Sequence, residues 1–381
     1  MPPIAVAAVS ARAMAEAAAR DGFKVVALDL FGDADTLRAA ARWLPIGTPG
    51  RTRIDSERLL AALRQLARAG INAEPVAGWV AGSGFEGQPD LLEQGAAVLP
   101  LWGTAAKDVR RLRDPSTFFG FLTAHGVAHP RVRLQRPDDP AGWLLKDAHG
   151  CGGWHIRRAS RSAKAALPRH WYFQREVSGQ PMSATFLANG DDIHVLGFNE
   201  LSVRPCGSRP FVFCGAIGPV PVSAEIARRM EAMARLLTRE FALRGLCSLD
   251  VMRDEDGLQV LEVNPRPPAS ISLYGAPGLM QAHVRACMHG QLPPKPPRPQ
   301  PASQVHGTEI VFAPRAFTLD DAAVHDLAAQ PNRHDLPAAG QRFKLHDPVC
   351  TLSASGGSAA QVRARLNAGR QQLLDFLETL Q

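Results

Sequence analysis

The chain has 381 residues, 45% of them hydrophobic, and a formal net charge of +7. That length exceeds one ordinary core and calls for two or three domains, and a positive charge spread with no basic run longer than a pair excludes a nucleic-acid tail and points to an anionic ligand. Cys151, Cys206, Cys214, Cys247, Cys287 and Cys350 lack metal-ligand spacing and read as reduced, no apolar run reaches the length of a membrane helix, and Arg12 and Glu16 interrupt any signal segment, so a cytoplasmic location is expected.

In chain order, residues 4–30 read strand, helix, strand, with Gly22 closing the Ala-rich helix. The turn Val9 to Arg12 lacks G-x-G-x-x-G, so no dinucleotide site is assigned there. Asp29, Asp33 and Asp35 follow the second strand, where open parallel sheets place ligands, and capping of the next helix by Asp35 or Thr36 explains them equally well. An amphipathic helix over 57–70 and a strand running into a Gly-rich loop continue the α/β alternation to about residue 103. Residues 107–126 are helical with a break at Asp114-Pro115.

Gly142 to Arg157 reads strand, glycine loop, strand. Lys146 closes the first strand, and Gly150, Gly152 and Gly153 free the backbone to approach a ligand; a plain hairpin loop is the alternative. Only six of the 43 basic residues are lysine, so Lys107 and Lys146 stand out as compact point charges among planar forks. Three strands follow, with turns at Ser178-Gly179 and Asn189-Gly190, then a helix over 225–240. Residues 246–252 and 258–263 form a hairpin across the turn Asp254 to Gly257. Its register places Asp250 opposite Glu262, with Asn264 on the same face, two carboxylates and an amide suited to a hard cation such as Mg²⁺. A surface hairpin with acidic outer positions is the bland alternative, but Glu262 lies in an apolar run where a carboxylate needs a partner. Residues 291–303 form a proline-rich linker, and 304–381 a small β-rich module with a closing helix.

With these motifs the chain resembles the ATP-grasp superfamily of carboxylate-amine ligases, in the small-molecule branch that includes archaeal tyramine-glutamate ligase. The resemblance covers residues 4–290. It implies an α/β and α+β architecture: an N-terminal Rossmann-like domain over 1–103 and an ATP-grasp domain over 104–290, divided into a small lobe, 104–180, and a large lobe, 181–290. It further implies that Lys107 and Lys146 contact ATP phosphates beneath a loop of Gly150, Gly152 and Gly153, that the hinge Gln174, Arg175, Glu176, Val177 holds the adenine, and that Asp250, Glu262 and Asn264 bind Mg²⁺, with Mn²⁺ as a substitute. Arg266 matches an arginine that anchors the carboxylate or acyl-phosphate. Two positions depart from the pattern: Ser248 stands where many relatives have arginine, and Ser178 where many have an acidic residue.

The implied reaction is ATP-dependent joining of a small-molecule carboxylate to an amine through an acyl-phosphate, in small-molecule or cofactor biosynthesis, with glutamate as a candidate substrate. It needs no nucleophilic side chain, and the chain has no G-x-S-x-G. A small-molecule kinase and a non-catalytic nucleotide-binding module are the alternatives. No nucleic acid and no membrane partner is expected, and the assembly, monomer or homodimer, stays open.

Overall fold

The computed structural model describes residues 1–48, 52–160, 167–255, 257–294 and 304–380. Asp256, in the expected hairpin turn, and 295–303, most of the expected linker, lie outside the described residues.

Four short strands rich in Val, Ala and Leu build a parallel sheet at the N-terminus. They are β1 (Ile4–Ala7), β2 (Val25–Asp29), β3 (Arg42–Pro45) and β4 (Trp79–Ala81), in the order β3-β2-β1-β4. β1 and β2 are buried throughout, as strands covered on both faces must be. Helices α1 (Arg12–Arg20), α2 (Ala34–Ala39), α3 (Ser56–Ala69) and α4 (Pro89–Val98) complete this part. Gly22 follows α1 at φ +83°, the left-handed conformation in which glycine meets no Cβ penalty. None of Asp29, Asp33 and Asp35 caps α2 with its side chain, and protein groups take up two of the three carboxylates. Asp29 accepts from the backbone of Ala11, Phe31 and Gly32 and from Trp43 Nε1, and Asp35 accepts from the backbone N–H groups of Asp335 and Leu336. The C-terminal part of the chain thus occupies the place a ligand would take.

Helix α5 (Ala106–Leu112) ends before Asp114, whose carboxylate caps α6 (Pro115–Ala124) by accepting from Thr117 N at 2.8 Å. An antiparallel sheet of order β5-β8-β6-β7 comes next, built from β5 (Val132–Arg133), β6 (Trp143–Asp147), β7 (Arg157–Arg158) and β8 (Trp171–Arg175). The larger sheet contains β9 (Gln180–Asn189), β10 (Ile193–Cys206), β11 (Arg209–Gly218), β12 (Arg244–Arg253), β13 (Leu258–Asn264) and β14 (Val305–Phe312). Beyond β14, the short pair β15 (Phe317–Thr318) and β17 (Arg342–Phe343) stands apart, while β16 (Arg333–His334) and β18 (Pro348–Gly356) join the large sheet in the order β13-β12-β9-β10-β11-β14-β18-β16. The segment after residue 303, read from sequence as a small β-rich module, therefore adds three strands to the large sheet and keeps one short pair of its own.

Helix α7 (Ala224–Glu240) packs on β9, β10 and β12, and its Met230, Ala234 and Leu237 join Phe186, Phe241 and Leu249 in the main core. Phe186 and Phe241 are fully buried, so truncating either to alanine should cost about 3–5 kcal/mol. Helix α8 (Leu279–His289) supplies His283, which accepts from Leu246 N at 2.8 Å and lies 3.1 Å from Trp102 O, tying the N-terminal part to β12. Burial holds His283 neutral, its pKa pushed down to about 4. Helix α9 (Asp321–Ala328) and the closing helix α10 (Ala359–Thr379) complete the fold. β11 escapes the sequence reading because Pro205, Gly207 and Pro210 give its neighbourhood the look of a loop. All six cysteines are free. Among the described residues no helix is long and apolar enough to cross a membrane.

Candidate functional site

Hydrogen-bond register brings the acidic residues of the hairpin together. Asp250 pairs with Glu262 and Ser248 with Asn264, and a bulge follows Asp250. β13 is the edge strand of the large sheet, so Glu262 and Asn264 stand where the smaller sheet and α5 approach. Two carboxylates directly opposite repel unless a cation lies between or beside them. Burial and the neighbouring Glu262 push the Asp250 carboxyl well above the usual range. Burial would raise Glu262 as well, but Arg113, Lys146, His155 and Arg266 outweigh it and hold its pKa down.

Asn264 bridges the acidic and basic sides. Its Nδ2 donates to Asp250 Oδ2 at 3.1 Å and to Ser248 Oγ at 3.3 Å, while its Oδ1 accepts from Arg113 at 3.2 Å and Arg266 at 3.3 Å. Arg266 is anchored in turn by Glu86, donating from Nε to Oε1 at 2.7 Å. Glu86 is 4% exposed and also accepts from Gly84 N at 2.7 Å, so a loop of the N-terminal sheet orients an arginine of the large sheet. Arg113, 8% exposed, lies 3.7 Å from Glu262 and leaves a buried Nε with no partner.

Arg113 and Glu86 escaped the sequence reading. The signal for Arg113 was the helix break at Asp114-Pro115, which ends α5 and turns the preceding residue inward. Lys107, by contrast, is not brought to the cluster. It lies in the first turn of α5, whose buried face is Ala106, Asp108, Val109 and Leu112, and so it is left exposed to solvent.

Lys146 is 5% exposed, donates to Gln174 Oε1 at 3.1 Å and has its Nζ 5.9 Å from the centre of the Tyr172 ring. Gln174 Nε2 is buried without a partner. Elsewhere in the expected hinge, Arg175 N and Glu176 N already donate to Arg131 O and Gly142 O, and the Glu176 side chain pairs with Arg158. Val177 is half-buried. Between the sheets, Arg113, Asp147, His155, Tyr172 and Glu262 help line a cavity of about 30 Å³, room for a water molecule but not a nucleotide. Burial and Lys146 push His155 down to about 4, so it is neutral at pH 7.

The glycine loop lies docked over this space. Phe213 N donates to Gly152 O at 3.0 Å, and Trp154 packs edge-on to Phe312 with centroids 5.7 Å apart. At Gly153, φ is +77° and an added Cβ would meet Phe211 O at 1.8 Å; at Gly150 it would meet the His155 side chain at 2.3 Å. Both glycines are thus required by close approach of protein atoms, in addition to any ligand. Cys151 in this loop is no nucleophile, since Glu86 and burial push its thiol up to about 12.

Residues 114–270 match the family model described as ATP-grasp domain. Over 192 residues the chain is 20% identical to the carbamoyl phosphate synthase arginine-specific large chain of Bacillus subtilis, a match that covers 46% of this chain and 18% of that protein. The chain thus spans under a fifth of the length of that relative. Among solved structures, the biotin carboxylase domain of Hydrogenobacter thermophilus 2-oxoglutarate carboxylase aligns with a TM-score of 0.70 at 13% identity, over 96% of this chain and 88% of that one. The L-amino acid ligase from Bacillus licheniformis aligns at 0.66 and 16% identity, over 97% and 96% respectively. Those likenesses cover the N-terminal sheet, both lobes and the C-terminal strands together. The chain carries an ATP-grasp domain in residues 114–270 and has the ATP-grasp fold.

Proposed function

We propose that this protein is an ATP- and Mg²⁺-dependent ligase that joins a small-molecule carboxylate to an amine. The observation that carries the reading is the pair of facing carboxylates, Asp250 and Glu262, at a sheet edge flanked by Arg113, Arg266 and Lys146. A chain that only needed stability would not set two carboxylates against each other and leave Arg113 Nε and Gln174 Nε2 buried without partners. The donor set fits the cofactors: hard oxygen ligands for Mg²⁺ from Asp250, Glu262 and Asn264, and orphan polar atoms for nucleotide from Gln174 and Arg113.

When bound, ATP would supply the phosphoryl group that turns the carboxylate into an acyl-phosphate, with ADP leaving and Mg²⁺ offsetting phosphate charge, and the amine would then attack the acyl carbon and displace phosphate to leave the amide. The residues of the chain do the positioning. Lys146 on β6 and Arg113 at the end of α5 would offset phosphate charge, Arg113 in the role expected of Lys107. Arg266, held in orientation by Glu86 and next to Asn264, would stabilise the acyl-phosphate. The glycine loop, held on β11 by the bond from Phe213 N to Gly152 O, would open to admit ATP and close again to keep water from the acyl-phosphate.

The relatives include an L-amino acid ligase, which makes amino acids, with glutamate first, and small amines the set to screen. The test is ADP release and product mass. Release that requires both an acid and an amine, with a condensation product, supports the ligase. Release with acid alone, or nucleotide binding without release, would replace it with a kinase or a binding module.

A further inference from the structure

At the root of the glycine loop, β6 and β8 stay paired for one step past their ends, with Ala148 N donating to His170 O at 2.8 Å. Asp147 Oδ1 then accepts from His149 N at 2.9 Å, an Asx turn that folds His149 back over the strand ends. The His149 and His170 rings consequently stack, centroids 4.3 Å apart and planes 6° apart. His170 Nε2 lies 3.8 Å from Asp147 Oδ1. One ligand atom from each of the three side chains lies within 4.8 Å of the others.

We propose that Asp147, His149 and His170 bind a divalent transition-metal ion of the zinc class, separate from the Mg²⁺ site, and that this ion ties the root of the glycine loop to β8. Two imidazoles and a carboxylate are a donor set for zinc, cobalt or nickel, with solvent completing the coordination, whereas the Asp250, Glu262 and Asn264 set offers no nitrogen base and suits harder ions. His149 is exposed and its partners are half-buried, so an ion can enter without unfolding. The Asp147 carboxylate is already oriented by its bond from His149 N, the kind of support that ligating groups use.

A second set within the same reach, Glu16, Asp35 and His334, shows what a filled site looks like. Arg12 donates to Glu16 at 2.9 Å, Asp35 accepts two backbone N–H groups, and His334 bonds Ser353 Oγ at 2.8 Å. Nothing there waits for an ion. Among the described residues the hydrogen bond to the Asp147 carboxylate comes from the loop backbone, and the two stacked rings, near-parallel, would turn about χ2 to aim their nitrogens at one ion.

The experiment titrates the metal-stripped, nucleotide-free protein with Co²⁺, reading visible absorption, and with Zn²⁺ in competition with a chromophoric chelator. One ion per chain is expected, with binding weakened at least about tenfold in His149→Gln and in His170→Ala and unchanged in His334→Ala. Zn²⁺ should also raise the melting temperature of the wild type but not that of His149→Gln, a loop change that leaves both strands intact. Absence of stoichiometric binding by the wild type, or binding that survives both substitutions, would overturn the proposal. Because neither ATP nor substrate is present, failure here leaves the ligase reading untouched, and a protein that binds Zn²⁺ but releases no ADP would sink the ligase reading alone.

Discussion

Asp29, Asp33 and Asp35 beside Arg12, and Asp250 and Glu262 beside Arg113 and Arg266, are two groups of enclosed carboxylates with guanidinium neighbours. The first is closed by the chain itself. Arg12 donates to Glu16 and to both oxygens of Asp335, and Asp35 receives the backbone N–H groups of 335 and 336. The second keeps its carboxylates opposed, its Arg113 Nε orphaned and a cavity between the lobes. Residue types alone do not separate a binding site from a clasp, and neither does a single orphan atom, since Thr36 Oγ1 beside Asp35 is buried without a partner as well; what sets the second group apart is that its carboxylates face each other at a sheet edge beside a cavity.

Substitution at the open group should have the largest effect. Glu262→Gln removes a charge that Mg²⁺ would need and is expected to lower turnover by about two decades or more while the protein stays folded, as loss of transition-state charge stabilisation does. Steady-state ADP release beside a melting curve measures both, and near-normal turnover would make the open group a second clasp.

Lys146→Arg tests the neighbouring cation with a smaller change. The charge is kept, but a planar fork cannot replace a point donor between Gln174 and the Tyr172 ring, so ATP use should weaken by about tenfold. Equal ATP KM and rate in the two proteins would reduce Lys146 to a strand-end residue.

The closed group yields the smallest effect, and one in stability. Burial, with Asp335, Asp29 and Asp35 close by, pushes Asp33 from 3.8 up to about 8. Between those values the folded chain holds a proton that the unfolded chain has lost, so this group's contribution to stability falls as pH rises from 4 to 8. Asp33→Asn removes that dependence and should melt higher than the wild type at alkaline pH, by about a few degrees, with the gap closing towards pH 4. A gap that does not change with pH would show that Asp33 is already ionised in the fold.

Local patterns in the sequence determined a good deal. Alternation and the Asp254 to Gly257 turn pointed to Asp250 facing Glu262, but the turn pairs Arg253 with Leu258, one step off the register that expectation needs, and the bulge after Asp250, which no local pattern signals, restores the opposition. The break at Asp114-Pro115, the Gly22 and Gly70 helix ends and the βαβ opening were legible, each resting on residues a few positions apart. Only the tertiary structure decided the rest. Arg113 reaches Glu262 from the end of α5, and Glu86 reaches Arg266 from a loop of another sheet, 149 and 176 residues before Glu262, and no local period encodes contacts at that distance. Lys107 looked equivalent to Arg113 by residue type, yet the turn of α5 leaves one exposed and ends with the other buried. Joining of β14 and β18 to the large sheet was likewise unreadable, because backbone pairing between distant strands carries no side-chain signature in either strand.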